Sequence, residues 1–313
     1  MIRDNLLASY QWLQSNTPQN VIMGDDLDGG LATLLYLSKN PAAKLVGIYT
    51  GYTKLYYNAA LSIDDLKNAI YLDLDICQPQ CRSLGHHIIR INPDNKLSGF
   101  ASSCNLNELE HRFITNKYTG KYPLGTIHFL MWLYQVPMPS HRLTEQLIWL
   151  ADSSFINGQS HRFRINVGDW VHNLMPWAPL QHSFQHLDTL VFEQEMQHLQ
   201  NRMRASGLNK GNGQVKSRQL QLTGFQCQPN GNESAAQMSQ YMLRLLRVLS
   251  KVTGWQLDEE QLDISNLHLI TGSRNNGSIA AVGNSLDDFL LHNRVFSYVF
   301  PFKDSINYTV GIF

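Results

Sequence analysis

Short, mostly apolar runs alternate with helix-length amphipathic segments through the first half of the chain. Residues 21–24, 44–50, 69–73 and 88–91 each read as a strand, and the apolar runs at 21 and 70 read as buried ones. Between them lie stretches of helical period. Residues 1–16 carry Leu6, Leu7, Tyr10 and Leu13 on one face, residues 31–39 stop at Asn40-Pro41, and a helical region surrounds Asp64-Asp65-Leu66-Lys67. This alternation predicts an α/β fold with a doubly wound, mainly parallel sheet.

The second half is patterned differently. Residues 124–134 are apolar nearly all round and predict a buried helix, and the apolar run 143–151 delivers Asp152 at its end. Residues 184–204 read as one long helix, with Leu187, Leu190, Val191, Met196, Leu199 and Met203 in a heptad-like stripe. Residues 206–232 are rich in Gly and Asn, so they predict loops, and residues 235–252 predict another helix. From Leu267 onward, strands and turns alternate. Two domains are expected: residues 1–182, and a smaller α/β domain over 183–313, with the substrate in the cleft between them. Arg202, Arg204, Lys210, Lys216 and Arg218 make the loop region either a solvated connector or a basic flap over a polyanion.

Composition narrows the classes. The 313 residues carry 25 basic and 25 acidic side chains, a balance that argues against a protein whose main task is coating nucleic acid. No run approaches the ~20 apolar residues of a membrane span, and the first residues read as an amphipathic segment, not a signal peptide. Cys77, Cys81, Cys104 and Cys227 form no Cys-Xaa-Xaa-Cys pair and read as reduced thiols, so a cytoplasmic location is expected. Cys77 and Cys81 lie near His86 and His87 in sequence, but their spacing matches no common zinc ribbon.

The candidate chemistry sits where predicted strands end. The first strand runs into Gly24-Asp25-Asp26-Leu27-Asp28-Gly29, and another ends at Asp73 with Asp75 beyond it. The pair His86-His87 follows within a few residues. Carboxylates at the C-terminal ends of parallel strands lie where such sheets bind ligands. Oxygen donors joined by imidazole nitrogen suit Mn²⁺. A bland reading exists for each piece: Asp-Xaa-Asp-Gly is a common turn, and most paired histidines are not ligands.

These residues resemble the DHH phosphoesterase superfamily, which includes RecJ-type exonucleases, oligoribonucleases and cyclic-dinucleotide phosphodiesterases. Asp26-Leu27-Asp28-Gly29 matches its first motif, Asp73 its second, Gly85-His86-His87 its Asp-His-His motif, and Asp152 its fourth. The resemblance spans residues 18–155. It implies two Mn²⁺ (or Mg²⁺) ions held by Asp26, Asp28, Asp73, His86 and Asp152, with Asp73 bridging. His86, His87 and Asp28 would be the catalytic set in a two-metal hydroxide hydrolysis of a phosphodiester. The implied substrate is a nucleotide, a short oligonucleotide or a cyclic dinucleotide. His87, Arg274, Lys210 and Arg218 would contact it, and a homodimer is a candidate assembly.

The chain departs from that pattern in four places, one being an interval from Asp73 to His86 that is short for the family. Gly85 replaces the first Asp of Asp-His-His, and Asp75 is the nearest candidate for its role. Asp25 stands where many members have a histidine. No glycine-rich motif ending in His follows, although Gly272–Gly277, containing Arg274, could hold an anion. Two rival readings stand beside this one. Asp26 could be the nucleophile of a haloacid-dehalogenase-like phosphatase, with Leu269–Arg274 and Val282–Asp288 as later motifs. Or the chain could be a degenerate phosphoesterase that binds without turning over.

Overall fold

The computed structural model describes residues 1–138, 141–159, 162–187, 190–212, 215–283 and 285–313. It has an α/β fold built around a seven-stranded, mostly parallel sheet, with a second, three-stranded antiparallel sheet. By contact density the chain forms two compact units. A sheet unit comprises residues 2–24, 40–122 and 259–313, and a helical unit comprises residues 25–39 and 123–258 together with Met1. The boundary expected at residue 182 falls inside the helical unit, within the helix Ala178–Gln185. The expected sheet over the first 180 residues is instead confined to residues 19–105 plus one strand from the C-terminal region.

The large sheet has the order β6-β5-β4-β1-β2-β3-β7. Its strands are β1 (Gln19–Gly24), β2 (Ala43–Thr50), β3 (Lys54–Asn58), β4 (Ile70–Leu72), β5 (Arg82–Gly85), β6 (Cys104–Asn105) and β7 (Leu267–Thr271). β1 lies between parallel partners β2 and β4, and β4-β5 and β5-β6 are parallel too, whereas β2-β3 and β3-β7 are antiparallel. The apolar runs of β1 and β4 are buried throughout, as central parallel strands require. After β1 the chain proceeds to β2 on one side. It later returns to β4 on the other, so the direction of winding reverses between β1 and β4. In open α/β sheets, ligands bind outside the strand ends at that reversal.

The segment 88–91 is not a strand. Ile88 and Ile89 instead pack into a cluster with Leu97, Phe100, Leu290, Val295 and Tyr298. The strand at this place is β5, so the histidine pair follows a strand. The small sheet is formed by β8 (Ser273–Ser278), β9 (Val295–Val299) and β10 (Ser305–Val310), with β10 in the middle. It meets the large sheet through Phe296, whose ring lies edge-on to Tyr49 and Tyr71 and also to Phe313, and through Ser297 Oγ, 2.9 Å from the Tyr49 hydroxyl.

The helical unit has no strand among its described residues. Its helix Leu27–Lys39 is buried from Leu27 through Leu37. In the same unit lie Thr126–Tyr134, buried all round as expected, and Ala235–Thr253, whose Met238, Tyr241, Met242, Leu245, Leu246 and Leu249 make one apolar face. The Ser234–Gln237 capping box starts that last helix, and Gly254 at φ +73° ends it. The single long helix expected over 184–204 is two, Ala178–Gln185 and Leu190–Ala205. Among the described residues, no helix is long and apolar enough to cross a membrane.

Candidate functional site

In the sheet unit, three adjacent parallel strands end level with one another. Met23 pairs with Leu72, and Leu72 with Leu84. The next residues are therefore Gly24, Asp73 and Gly85, followed in the chain by Asp25, Leu74 and His86. Adjacent strands are ~4.8 Å apart, so these ends form one short row at the winding reversal. Asp73 has φ +62°, a left-handed conformation that Asp tolerates better than most residues and that turns the chain sharply off β4. Its carboxylate lies against Gly24, where a Cβ would sit 3.2 Å from Asp73 Oδ2. His86 Nδ1 lies 3.3 Å from Asp73 Oδ1, and both side chains are largely buried.

His87 is held separately. Its Nδ1 is 3.1 Å from Asp75 Oδ2, and its backbone amide donates to the same oxygen at 3.1 Å. The two histidine rings stack at 4.7 Å, and the Tyr122 ring lies 5.9 Å from that of His86. Two residues that the sequence reading missed complete this half. Asn105 donates from Nδ2 to Asp75 Oδ1 at 2.7 Å and to the His87 carbonyl at 2.8 Å. Asn107 donates to the His86 carbonyl at 2.6 Å. Asn105 is readable in sequence as the cap of the helix Leu106–Leu109, but its reach to Asp75 is not.

In the helical unit, the acidic turn is tighter than expected, because the helix begins at Leu27 and takes Asp28 into its first turn. Asp26 caps that helix. Its Oδ1 accepts the Gly29 amide at 3.0 Å, and its carbonyl accepts the Gly30 amide at 2.9 Å. Asp28 is fully buried. Its Oδ2 accepts the Thr126 amide at 2.5 Å and its Oδ1 the Ile127 amide at 2.9 Å, so the carboxylate sits on the N-terminus of Thr126–Tyr134. Asp152 occupies a turn at φ +50° after the helix Arg142–Leu150. Burial, then the neighbouring Asp152, Asp28 and Asp25 carboxylates, hold Asp26 well above the usual carboxylate range, against the opposing pull of the Gly29 amide. Asp25 also accepts from Gln228 Nε2 at 3.5 Å. Two carboxylates of the same turn and one from the distant Asp152 thus all bear on Asp26, a costly arrangement without cations.

Asp28 has a structural duty whatever its chemical one. Asp28→Ala leaves two buried amides without acceptors. At about 1.5–3 kcal/mol for each charge-assisted bond, the metal-free protein is expected to lose roughly 3 kcal/mol or more in urea unfolding. An unchanged midpoint would show that those two bonds carry no stability.

The basic candidates belong to both units: Lys210 and Arg218 to the helical one, Arg274 to the sheet unit. The Lys210 carbonyl accepts the Gln226 amide at 2.7 Å, and the Gln226 carbonyl accepts the Leu27 amide at 2.5 Å, which ties the Lys210 loop to the acidic turn. Arg218 belongs to another tight loop, where its carbonyl accepts from Gln221 at 3.2 Å. Arg274, on β8 of the sheet unit, lies 4.6 Å over the Tyr52 ring. Burial pushes the Cys77 and Cys81 thiols up to about 12, so both are thiols in the metal-free protein. Of the motif read at 282–288, Asn284 lies outside the described residues. Asp287 accepts the Lys96 amide at 2.8 Å and the Ser98 amide at 3.4 Å, a loop-holding role. No family model, curated protein or solved structure matches the chain.

Proposed function

We propose that this chain is a metal-dependent phosphodiesterase acting on a nucleotide, a short oligonucleotide or a cyclic dinucleotide. The observation that carries the reading is the row of strand ends at the winding reversal, where Asp73 and His86 pair and the acidic turn begins one residue beyond β1. Asp73 and His86 are spaced as two ligands of one ion. Donors bonded to a metal at ~2.1 Å, with angles of ~90–109° between them, lie ~3.0–3.4 Å apart, and this pair is 3.3 Å apart. The peptide geometry supports adding the acidic turn, since consecutive Cα atoms are only ~3.8 Å apart and Asp25 follows Gly24 directly.

On the motif resemblance, Asp28 would join Asp73 and His86 as ligands of one ion. Asp26 and Asp152 would serve a second ion, with Asp73 shared between them and Asp25 adjoining. Oxygen with one imidazole nitrogen suits Mn²⁺, and Mg²⁺ less well. When bound, such ions supply a Lewis acid for the phosphate and lower the pKa of water. The chain's own residues do the rest. The carboxylates fix the geometry, His87 meets the phosphate side, and Lys210, Arg218 and Arg274 draw in the polyanion. The protein would work on soluble substrates in the cytoplasm, and a homodimer is compatible with that role.

The test is a mass-spectrometric screen. Purified protein with Mn²⁺ is incubated with dinucleotides, short oligonucleotides and cyclic dinucleotides, with and without a chelator. Cleavage of at least one class, abolished by the chelator, is expected. Cleavage that ignores the chelator, or none in any class, would overturn the proposal.

A further inference from the structure

The carboxylate of Asp75 fills the space that a side chain at position 85 would need. A Cβ built on Gly85 would lie 2.0 Å from Asp75 Oδ1 and 2.3 Å from its Cγ, far inside any tolerated contact. Gly85 and the Asp75 carboxylate are therefore alternatives for one volume, and this chain gives it to Asp75. That carboxylate is nearly inaccessible to solvent, with 2 % of its side chain exposed, while His87 retains 40 %.

Its hydrogen-bond polarity is set from outside. Asn105 Oδ1 accepts the Asn107 amide at 2.9 Å and the Glu108 amide at 3.1 Å, at the start of the helix Leu106–Leu109. Those two donors fix the orientation of the Asn105 amide, so its Nδ2 must face Asp75 as a donor. Asp75 Oδ1 receives it. Oδ2 then faces two groups of His87, the backbone amide and Nδ1. A carboxylate there only accepts, so Nδ1 carries the hydrogen and Nε2 is left with its lone pair.

We infer that Asp75 is a positioning residue that holds His87 as the Nδ1–H tautomer and presents its half-exposed Nε2 as the acceptor or ligand atom, with Gly85 as the space that admits it. That His87 serves a phosphoester site rests on the function proposed above. The tautomer itself does not, and it can be read in the metal-free protein.

The test is a long-range ¹H–¹⁵N correlation spectrum of the His87 ring, recorded on the full chain without metal at mildly alkaline pH. Wild type is expected to give the Nδ1–H pattern, and an Nε2–H pattern in wild type would overturn the inference without any variant. Asp75→Asn keeps the shape but not the polarity. Its single oxygen must serve either the Asn105 amide or the two His87 groups, where the carboxylate served both sides, so the Nδ1–H preference is expected to weaken. Gly85→Ala, which displaces the carboxylate instead of changing it, is expected to abolish the Nδ1–H preference as well. A His87 pattern unmoved in both variants would contradict the role. In turnover assays Asp75→Asn is expected to lower kcat about 10–100-fold, with the Mn²⁺ requirement changed less than ~2-fold. If wild type gives the Nδ1–H pattern and the variants weaken it, but wild type shows no response to Mn²⁺ in melting, the proposed function fails and the positioning of His87 stands.

Discussion

Asp73→Asn is expected to lose hydrolysis and metal-induced stabilisation together. Asp73 closes β4 at the winding reversal, contacts His86 at 3.3 Å and is the shared ligand in the proposed centre. An amide there offers one neutral oxygen in place of two charged ones, so it weakens one ion and cannot bridge two. A ligand that binds only the folded state adds about 2.7 kcal/mol at 100 times its Kd. For a chain this size that is roughly 5 °C in Tm. Wild type is expected to gain about that much with saturating Mn²⁺, and Asp73→Asn little of it, with turnover down at least ~100-fold. Differential scanning fluorimetry and the hydrolysis assay read the two effects on one sample. Full turnover in Asp73→Asn would remove the residue from the site.

Asp26→Asn is expected to move stability in the opposite direction in the metal-free protein. The fold holds the Asp26 carboxyl well above its usual range through burial and the Asp152, Asp28 and Asp25 charges. A group whose pKa rises on folding binds its proton more tightly in the native state. Its stabilising contribution is complete below the unfolded carboxylate value, about 3.9, and is lost as pH rises through the raised native value. Metal-free wild type should therefore lose stability through this group as pH climbs from the carboxylate range toward neutrality, whereas a salt-bridged Asp would gain it. Asn cannot ionise. The variant should melt higher than wild type at neutral pH without metal and show a flatter pH dependence. It should also gain less from Mn²⁺, because the cation stabilises the very charge that the substitution removes. Melting curves from about pH 5 to pH 8, with and without Mn²⁺, check all three effects. Equal melting of variant and wild type at neutral pH would mean that the acids do not strain the fold.

The elements that build the centre of the sheet were readable because their physics is local. Val21-Ile22-Met23 and Ile70-Tyr71-Leu72 are apolar on both faces since they lie between other strands, and the acids that end them mark the strand mouths. β5 was hidden because Arg82-Ser83-Leu84-Gly85 is half polar, and its burial comes from partners on either side: Ile70-Tyr71-Leu72, and Cys104-Asn105. The apolar stretch at 88–91 misled for the opposite reason: Ile88 and Ile89 are buried by loop and C-terminal side chains without any strand pairing. Domain organisation escaped because it rests on pairings between distant residues. Leu55 pairs with Ile270, and this returns the C-terminal region to the large sheet.

The candidate site divides along the same line. Asp26, Asp28, Asp73 and the histidine pair stood out by position along the chain. The sequence does not disclose that both oxygens of Asp28 are taken up by the amides of Thr126 and Ile127. Nor does it show that Asp75 occupies the volume left by Gly85, or that Asn105 sets the polarity of Asp75. Each is a contact across 10 to 99 residues, made by groups whose types are common in turns and caps.

The measurement that bears most directly on the metal centre is X-ray diffraction from crystals grown with Mn²⁺, recorded at the manganese absorption edge. An anomalous peak is expected within bonding distance, ~2.0–2.3 Å, of an Asp73 carboxylate oxygen and a His86 ring nitrogen. A map with no peak there, in crystals that hold Mn²⁺ elsewhere or not at all, would contradict it.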